Sequence, residues 1–158
     1  LSLDERVLRM ARTRGHSAGA ERVVARFSRI GEHGGVWLAI GVAGWALDRP
    51  RAAEWRRAVS TVAGTYALNT ALKLVVCRRR PELPGLPALT DTATRLSFPS
   101  AHASTSFAGA RCYARLGLPV PTMYGLATGL ALSRLYLGVH YPSDVLFGAA
   151  LGSVVGGR

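Results

Sequence analysis

Residues 58–77 read AVSTVAGTYALNTALKLVVC, twenty positions with one charge, Lys73, close to the end. About 20 apolar residues cross the hydrocarbon core of a bilayer, and this segment approaches that length unaided. Its neighbours repeat the theme in shorter form. Residues 34–47 (GGVWLAIGVAGWAL) carry no charge, residues 100–116 are rich in small side chains, and residues 122–137 and 143–157 are again apolar. A helix that is apolar all round is buried in a large protein or in lipid. A chain of 158 residues cannot bury five such helices in its own core. Small residues at close spacing suit helix packing inside a membrane. The pattern therefore predicts an all-α, membrane-embedded bundle of five to six helices, forming a single domain over residues 1–158.

The sixth helix is the open question. Residues 18–30 (AGAERVVARFSRI) set Val23, Val24, Phe27 and Ile30 on one helical face and Arg22, Arg26 and Arg29 elsewhere. Such a helix either lies on the membrane surface or is the first to enter it. Residues 1–16, with Arg6, Arg9, Arg12 and Arg14, read as a basic amphipathic or frayed arm. No apolar run of signal-peptide length occurs in the first thirty residues.

Composition narrows the partners. Only 18% of residues are charged, yet the net charge is +11, and the mean hydropathy is positive at +0.18. A basic balance favours nucleic acid, an anionic membrane surface or a phosphorylated substrate. No zinc spacing, RNA-binding aromatic signature or basic zipper is present, so nucleic acid is not expected. Lysine occurs once, at Lys73, among 20 basic residues, a bias expected of high-GC coding. Cys77 and Cys112 stand apart and read as isolated thiols.

Alternating helices sort the connections onto two sides. One side holds 73–100 and 134–144. The other holds 48–57, 116–121 and the C-terminus, joined by residues 1–16 if the first helix crosses. The second side carries Arg49, Arg51, Arg56, Arg57, Arg115 and Arg158, the last of which lies outside the residues the structure describes. The positive-inside rule makes it cytoplasmic, so the first side is expected to face outward. That outward side nevertheless keeps Lys73, Arg78, Arg79, Arg80, Arg95 and Arg134. Cations retained against the rule suggest an anion site.

Three outward segments are dense in reactive groups. Lys73 precedes Arg80-Pro81 by seven positions, a spacing that shares a helical face. Pro99-Ser100-Ala101-His102 places a proline at a predicted helix start, where backbone N–H groups are free for an anion. Ser133-Arg134 leads to His140 and then Asp144, with Pro142 predicted to start the last helix and set Asp144 beside His140. Phosphoryl transfer needs charge neutralised on the equatorial oxygens, with nucleophile and leaving group in line. Two imidazoles can supply nucleophile and acid. A carboxylate on one imidazole nitrogen fixes the tautomer and leaves the other to attack.

The segments KLVVCRRRP (73–81), PSAH (99–102) and SRLYLGVHYPSD (133–144) resemble the three signature motifs of the type 2 phosphatidic acid phosphatase superfamily. The one departure is Ala101, where the family has glycine. The resemblance implies that His140 is the nucleophile, oriented by Asp144. It implies that His102 protonates the leaving group and then activates water, and that Lys73, Arg80 and Arg134 clamp phosphate with Ser100 and the Ala101 amide. It implies no metal and no cofactor, a lipid phosphate substrate, and a multi-pass protein of the cell membrane. LSFPSAHAST and LGVHYPSDV in so short a chain are most similar to small actinobacterial members. Their substrate would be polyprenyl-linked, such as decaprenylphosphoryl-5-phosphoribose of cell-wall arabinan precursor synthesis. Undecaprenyl pyrophosphate and phosphatidylglycerol phosphate are the rival lipids. A vanadate-dependent haloperoxidase and a non-catalytic lipid binder are the rival classes; the apolar helices argue against the first and the intact His102, His140 and Asp144 against the second.

Other notable residues take plainer readings. His16 and His33 read as structural, Arg78 and Arg79 as interface anchors, and Arg95 as either substrate contact or solvated. Trp37, Trp45 and Trp55 read as interface or packing residues, and Asn69 as an interhelical hydrogen bonder.

Overall fold

A computed structural model describes residues 2–157. Among them the chain is all-α: α1 (Leu3–Thr13), α2 (Ala18–Arg29), α3 (Gly35–Leu47), α4 (Ala52–Val76), α5 (Ala101–Arg115), α6 (Val120–Tyr136) and α7 (Pro142–Val155), with short 3₁₀ turns at Glu32–Gly34 and Arg49–Arg51. Seven helices exceed the five to six expected, because the N-terminal arm is itself a helix. Ser2 caps it, accepting from Glu5 N while Ser2 N donates back to the Glu5 carboxylate.

Helix starts follow local chemistry. Ser17 caps α2 and Ser100 caps α5. Pro119 and Pro121 stand at the N-terminus of α6, where a missing N–H is harmless. α4 begins six residues earlier than the apolar run, at Ala52. Asp48 anchors that start by accepting from Trp55 Nε1 at 2.9 Å and Arg51 Nε at 2.7 Å. Together with the turn before it, α4 is the one described helix long and apolar enough to cross a membrane by itself.

α5 is the centre of the bundle, packed against α3, α4, α6 and α7. Its tightest neighbour is α7, where Gly148, Gly152 and Gly156 recur every four residues. A Cβ at Gly152 would overlap the Ser104 carbonyl oxygen, and one at Gly148 would lie 2.6 Å from that of Ser100. The glycine stripe thus lets two backbones touch. On the other flank Trp37, Trp55 and Tyr113 form the aromatic core; Tyr113 donates to Trp37 O at 2.7 Å and Trp37 Nε1 to Ser106 Oγ at 2.9 Å. Trp37 and Trp55 are therefore packing residues, while Trp45 is exposed. Asn69 is the interhelical bonder expected, donating to Ser104 Oγ at 3.0 Å. Outward, α3, α4, α6 and α7 expose Val42, Leu47, Leu68, Leu74, Leu132, Leu146 and Phe147, large apolar side chains of the kind that mark a membrane or partner surface when they are contiguous.

Neither α1 nor α2 is long and apolar enough to cross a membrane by itself. α2 has 12 residues, about 18 Å at 1.5 Å per residue. Both helices lie over one end of the bundle, the end that carries the three motif segments. Asp4 binds Ser143 at the start of α7, Arg12 donates to Pro87 O and Tyr136 O, and Ser28 accepts from His102. Helices α3 to α7 pack together as the bundle around α5. The arm's arginines stand on the motif side; the sorting from sequence puts them on the other side only if the first helix crosses.

Candidate active site

Helix α4 delivers Lys73 in its last turn and stops at Val76; Cys77, at φ 52°, turns the chain out. Lys73 and Arg80 therefore do not share a helix face. They meet because residues 78–97 fold back as a hairpin-like excursion, with Arg80 N donating to Arg95 O at 3.1 Å and Ser97 N to Arg78 O at 2.7 Å. Lys73 Nζ fastens this excursion by donating to Leu96 O and Ser97 O, both at 3.1 Å. An ammonium has three donors, so one remains.

Arg80 reaches across to the α6–α7 connection. Its Nε donates to Thr94 O at 2.8 Å, and its Nη1 lies 2.7 Å from Val139 O and 3.1 Å from His140 Nε2. A guanidinium only donates, so His140 Nε2 is the unprotonated nitrogen and Nδ1 carries the proton. Nδ1 faces Asp144 Oδ2 at 3.5 Å. Burial pushes the His140 imidazole down to about 3, Asp144 opposing this and the cations Arg80, Lys73 and Arg134 adding to it. At neutral pH the ring is uncharged, as a nucleophile must be. Burial also brings the Arg80 guanidinium down to about 10, against the pull of Asp144.

Pro142 opens α7 and Asp144 sits in its first turn, as expected. The carboxylate is fully buried and its charge is matched by donors: Arg78 Nη1 to Oδ1 at 2.8 Å, and Ser97 Oγ at 2.7 Å and Tyr141 N at 2.8 Å to Oδ2. Arg78 is thus part of the site and not an interface anchor. Its guanidinium also lies 4.1 Å over the Tyr141 ring.

His102, in the first turn of α5, donates from Nε2 to Ser28 O at 2.9 Å, since a carbonyl only accepts. Its Nδ1 is left for other chemistry. Ser28 Oγ also accepts from Arg134 Nη1 at 2.7 Å, with Ser133 Oγ 3.0 Å away. One residue of α2 therefore holds an imidazole and a cation.

These groups line a cavity of about 440 Å³. Lys73, Arg80, Ala101, His102, Arg134 and His140 all face it, with Asp144 behind His140. Ser100 does not. It is fully buried, and its hydroxyl accepts from Ala103 N at 3.4 Å as the cap of α5. Ser100, and not Pro99, is thus the boundary of that helix. His33, read as structural, lies at the cavity wall beside Tyr66 with its backbone at φ 54°. His16 is structural as expected, stacked on Tyr136 at 4.0 Å and 3.0 Å from Glu21. Sequence reasoning passed over Asp4, Ser28, Glu32, Asp91 and Ser97. Only Ser97 carried a signal, two positions before the PSAH segment.

Residues 54–157 match the family model described as the PAP2 superfamily, and the chain belongs to that superfamily. It is 42% identical to the decaprenylphosphoryl-5-phosphoribose phosphatase of Mycobacterium tuberculosis (strain ATCC 25618 / H37Rv) over 130 residues, 82% of this chain and 72% of the relative. It is 43% identical to the protein of that name from Mycolicibacterium smegmatis over 125 residues, 77% of this chain and 67% of the relative. Among solved structures it resembles Aquifex aeolicus LpxE, with a TM-score of 0.78 and 21% identity over 99% of this chain and 93% of the other. It also resembles a transmembrane PAP2-type phosphatidylglycerolphosphate phosphatase from Bacillus subtilis, with a TM-score of 0.80 and 23% identity over 96% and 80%.

Proposed function

We propose that this chain is a membrane lipid phosphate phosphatase working through a phosphohistidine on His140, and that its lipid is decaprenylphosphoryl-5-phosphoribose. The observation that carries the reaction is one cavity faced by three cations and two imidazoles, with a buried carboxylate behind the imidazole whose Nε2 is unprotonated; a phosphate that takes up Arg80 releases that nitrogen to attack. Lys73, Arg80 and Arg134 neutralise the phosphate oxygens. His140 Nε2 attacks phosphorus; His102, made imidazolium by a proton taken up with the phosphate dianion and still held at Nε2 by Ser28 O, gives its Nδ1 proton to the departing ester oxygen and becomes neutral. His102 then takes a proton from water, the hydroxide attacks the phosphohistidine, and inorganic phosphate departs as His140 is restored. Asp144 stabilises the positive ring formed in between. The cations supply the charge neutralisation that metals supply in other phosphatases, so the reaction is read as metal-independent.

The names of the mycobacterial relatives support the choice of lipid, and so does the cavity wall. Glu32 and Asp91 line the same cavity as the cations, together with Thr70 and Thr92. Carboxylates repel a phosphate but accept hydrogen bonds from hydroxyls. A polyhydroxyl headgroup such as phosphoribose matches that wall better than a plain diphosphate does. The test is phosphate release by the purified chain from decaprenylphosphoryl-5-phosphoribose, undecaprenyl pyrophosphate and phosphatidylglycerol phosphate. Preference for the first by kcat/KM supports the reading; preference for another lipid moves the assignment, and no release from any overturns it.

An outward-facing site is part of the proposal, on narrower grounds than the sequence offered. With α1 and α2 at the motif end, the opposite end holds Arg49, Arg51, Arg56, Arg57, Arg111 and Arg115 in and beside two short connections. These six are the remaining positive-inside signal. A reporter fused at the C-terminus, active only in the cytoplasm, tests it: a silent reporter puts the site on the cytoplasmic face.

A further inference from the structure

Helix α1 precedes the matched span of the family, which starts at residue 54, yet it reaches the carboxylate behind His140. Asp4 Oδ1 accepts from Ser143 N at 3.0 Å, and Asp4 Oδ2 accepts from Ser143 Oγ and from Arg78 Nη2 at 2.9 Å. The other nitrogen of Arg78, Nη1, donates to Ser143 Oγ at 2.7 Å and to Asp144 Oδ1 at 2.8 Å. One guanidinium therefore bridges two carboxylates, and the chain Asp4–Arg78–Asp144–His140 runs from the surface helix to the attacking ring. Asp144 is fully buried, while the Arg78 and Asp4 side chains retain 32% and 22% exposure. The pairing is thus sheltered enough to matter and open enough to be altered without emptying the core.

We propose that α1 is a positioning element of the catalytic centre: Asp4, through Arg78, sets the orientation and effective charge of Asp144, and so the basicity of His140. The proposal rests on His140 being the nucleophile. Arg78 partly neutralises Asp144, and Asp4 partly neutralises Arg78. Removing Arg78 leaves Asp144 more negative and makes His140 more basic. Removing the Asp4 charge leaves Arg78 to Asp144 alone and makes His140 less basic. The other charged and titratable groups lining the cavity with His140 are Arg80 and Asp91 from the excursion, Lys73 and Tyr66 from α4, Arg134 from α6, His102 from α5, and Glu32 and His33 from the 3₁₀ turn. None of these is changed by either substitution.

The test uses the full chain in detergent with decaprenylphosphoryl-5-phosphoribose as probe, comparing wild type, Asp4→Asn, Arg78→Gln, Arg78→Lys and His140→Ala. The acid limb of kcat/KM is expected to move up by about half a pH unit or more in Arg78→Gln and down in Asp4→Asn. Arg78→Lys keeps the charge but not the fork, so its limb stays in place while kcat falls about tenfold with KM little changed. A structural defect would not produce shifts of opposite sign. Diethyl pyrocarbonate modification of His140 against pH, read by mass spectrometry, follows the same basicity without turnover. It keeps the proposal testable should the probe not be hydrolysed or Arg78→Gln not fold. Unmoved or like-signed shifts overturn the coupling. If they occur while His140→Ala is inactive, the phosphatase reading stands; if His140→Ala turns over, that reading fails independently.

Discussion

Replacing Asp144 by asparagine isolates what the buried carboxylate does. Its Oδ2 accepts from Ser97 Oγ and Tyr141 N and faces His140 Nδ1 at 3.5 Å, and its Oδ1 accepts from Arg78. An amide has one accepting oxygen. Placed at the Oδ2 position it keeps three partners and turns its NH₂ toward Arg78, donor against donor. Placed the other way it turns NH₂ toward three donors. The first arrangement is better, so the Asp144→Asn variant leaves the His140 tautomer intact and removes chiefly the charge. That charge stands 3.5 Å from the ring nitrogen. Unit charges about 4 Å apart at an effective dielectric of about 20 interact by about 4 kcal/mol. Phosphohistidine formation makes the ring cationic, so about that energy is lost from the transition state, or about a thousandfold in kcat. The assay is phosphate release by purified Asp144→Asn in detergent, with thermal unfolding as control. A folded variant within about tenfold of wild type would refute the role given to Asp144.

Three other outcomes follow from the geometry. Glu32→Gln should raise KM severalfold for the phosphoribose lipid while changing phosphatidylglycerol phosphate hydrolysis little; equal effects on both would deny Glu32 a part in headgroup choice. Chelation by EDTA should leave turnover unchanged and vanadate should inhibit it, whereas loss on chelation would reveal a metal the cations do not replace. Gly152→Val should destabilise the detergent-solubilised chain by about 3 kcal/mol or more, because the new side chain meets the Ser104 carbonyl across α5 and α7; an unchanged melting temperature would contradict that packing.

The reactive centre was legible because its chemistry is written in short segments. Asp144 follows Pro142 and His140 at a spacing that only a helix start satisfies, and the structure has that helix start. Lys73, Arg80, His102 and Arg134 reach the same cavity. The route by which Lys73 meets Arg80 was misread, since nothing in VVCRR marks Cys77 as the left-handed stop of α4. Ser100 is found as the cap of α5, a role that sequence does not separate from phosphate binding because both want the same residue type at the same place. Arg78 was hidden in a run of three arginines, whose partners depend on where a distant helix lies. That distant helix was the largest gap. An amphipathic segment states which face is apolar, not which end of the bundle it covers. Only Asp4 on Ser143 and Ser28 on His102 reveal that α1 and α2 complete the site.

The central claim is a covalent phosphate on His140. Rapid mixing of the chain with decaprenylphosphoryl-5-phosphoribose labelled in its terminal phosphate, followed by alkaline quench and peptide mapping, tests it. Acid-labile label should appear on His140 within one turnover, fall in Asp144→Asn and be absent in His140→Ala. Steady phosphate release with no label on His140, or with label on another residue, would contradict the account.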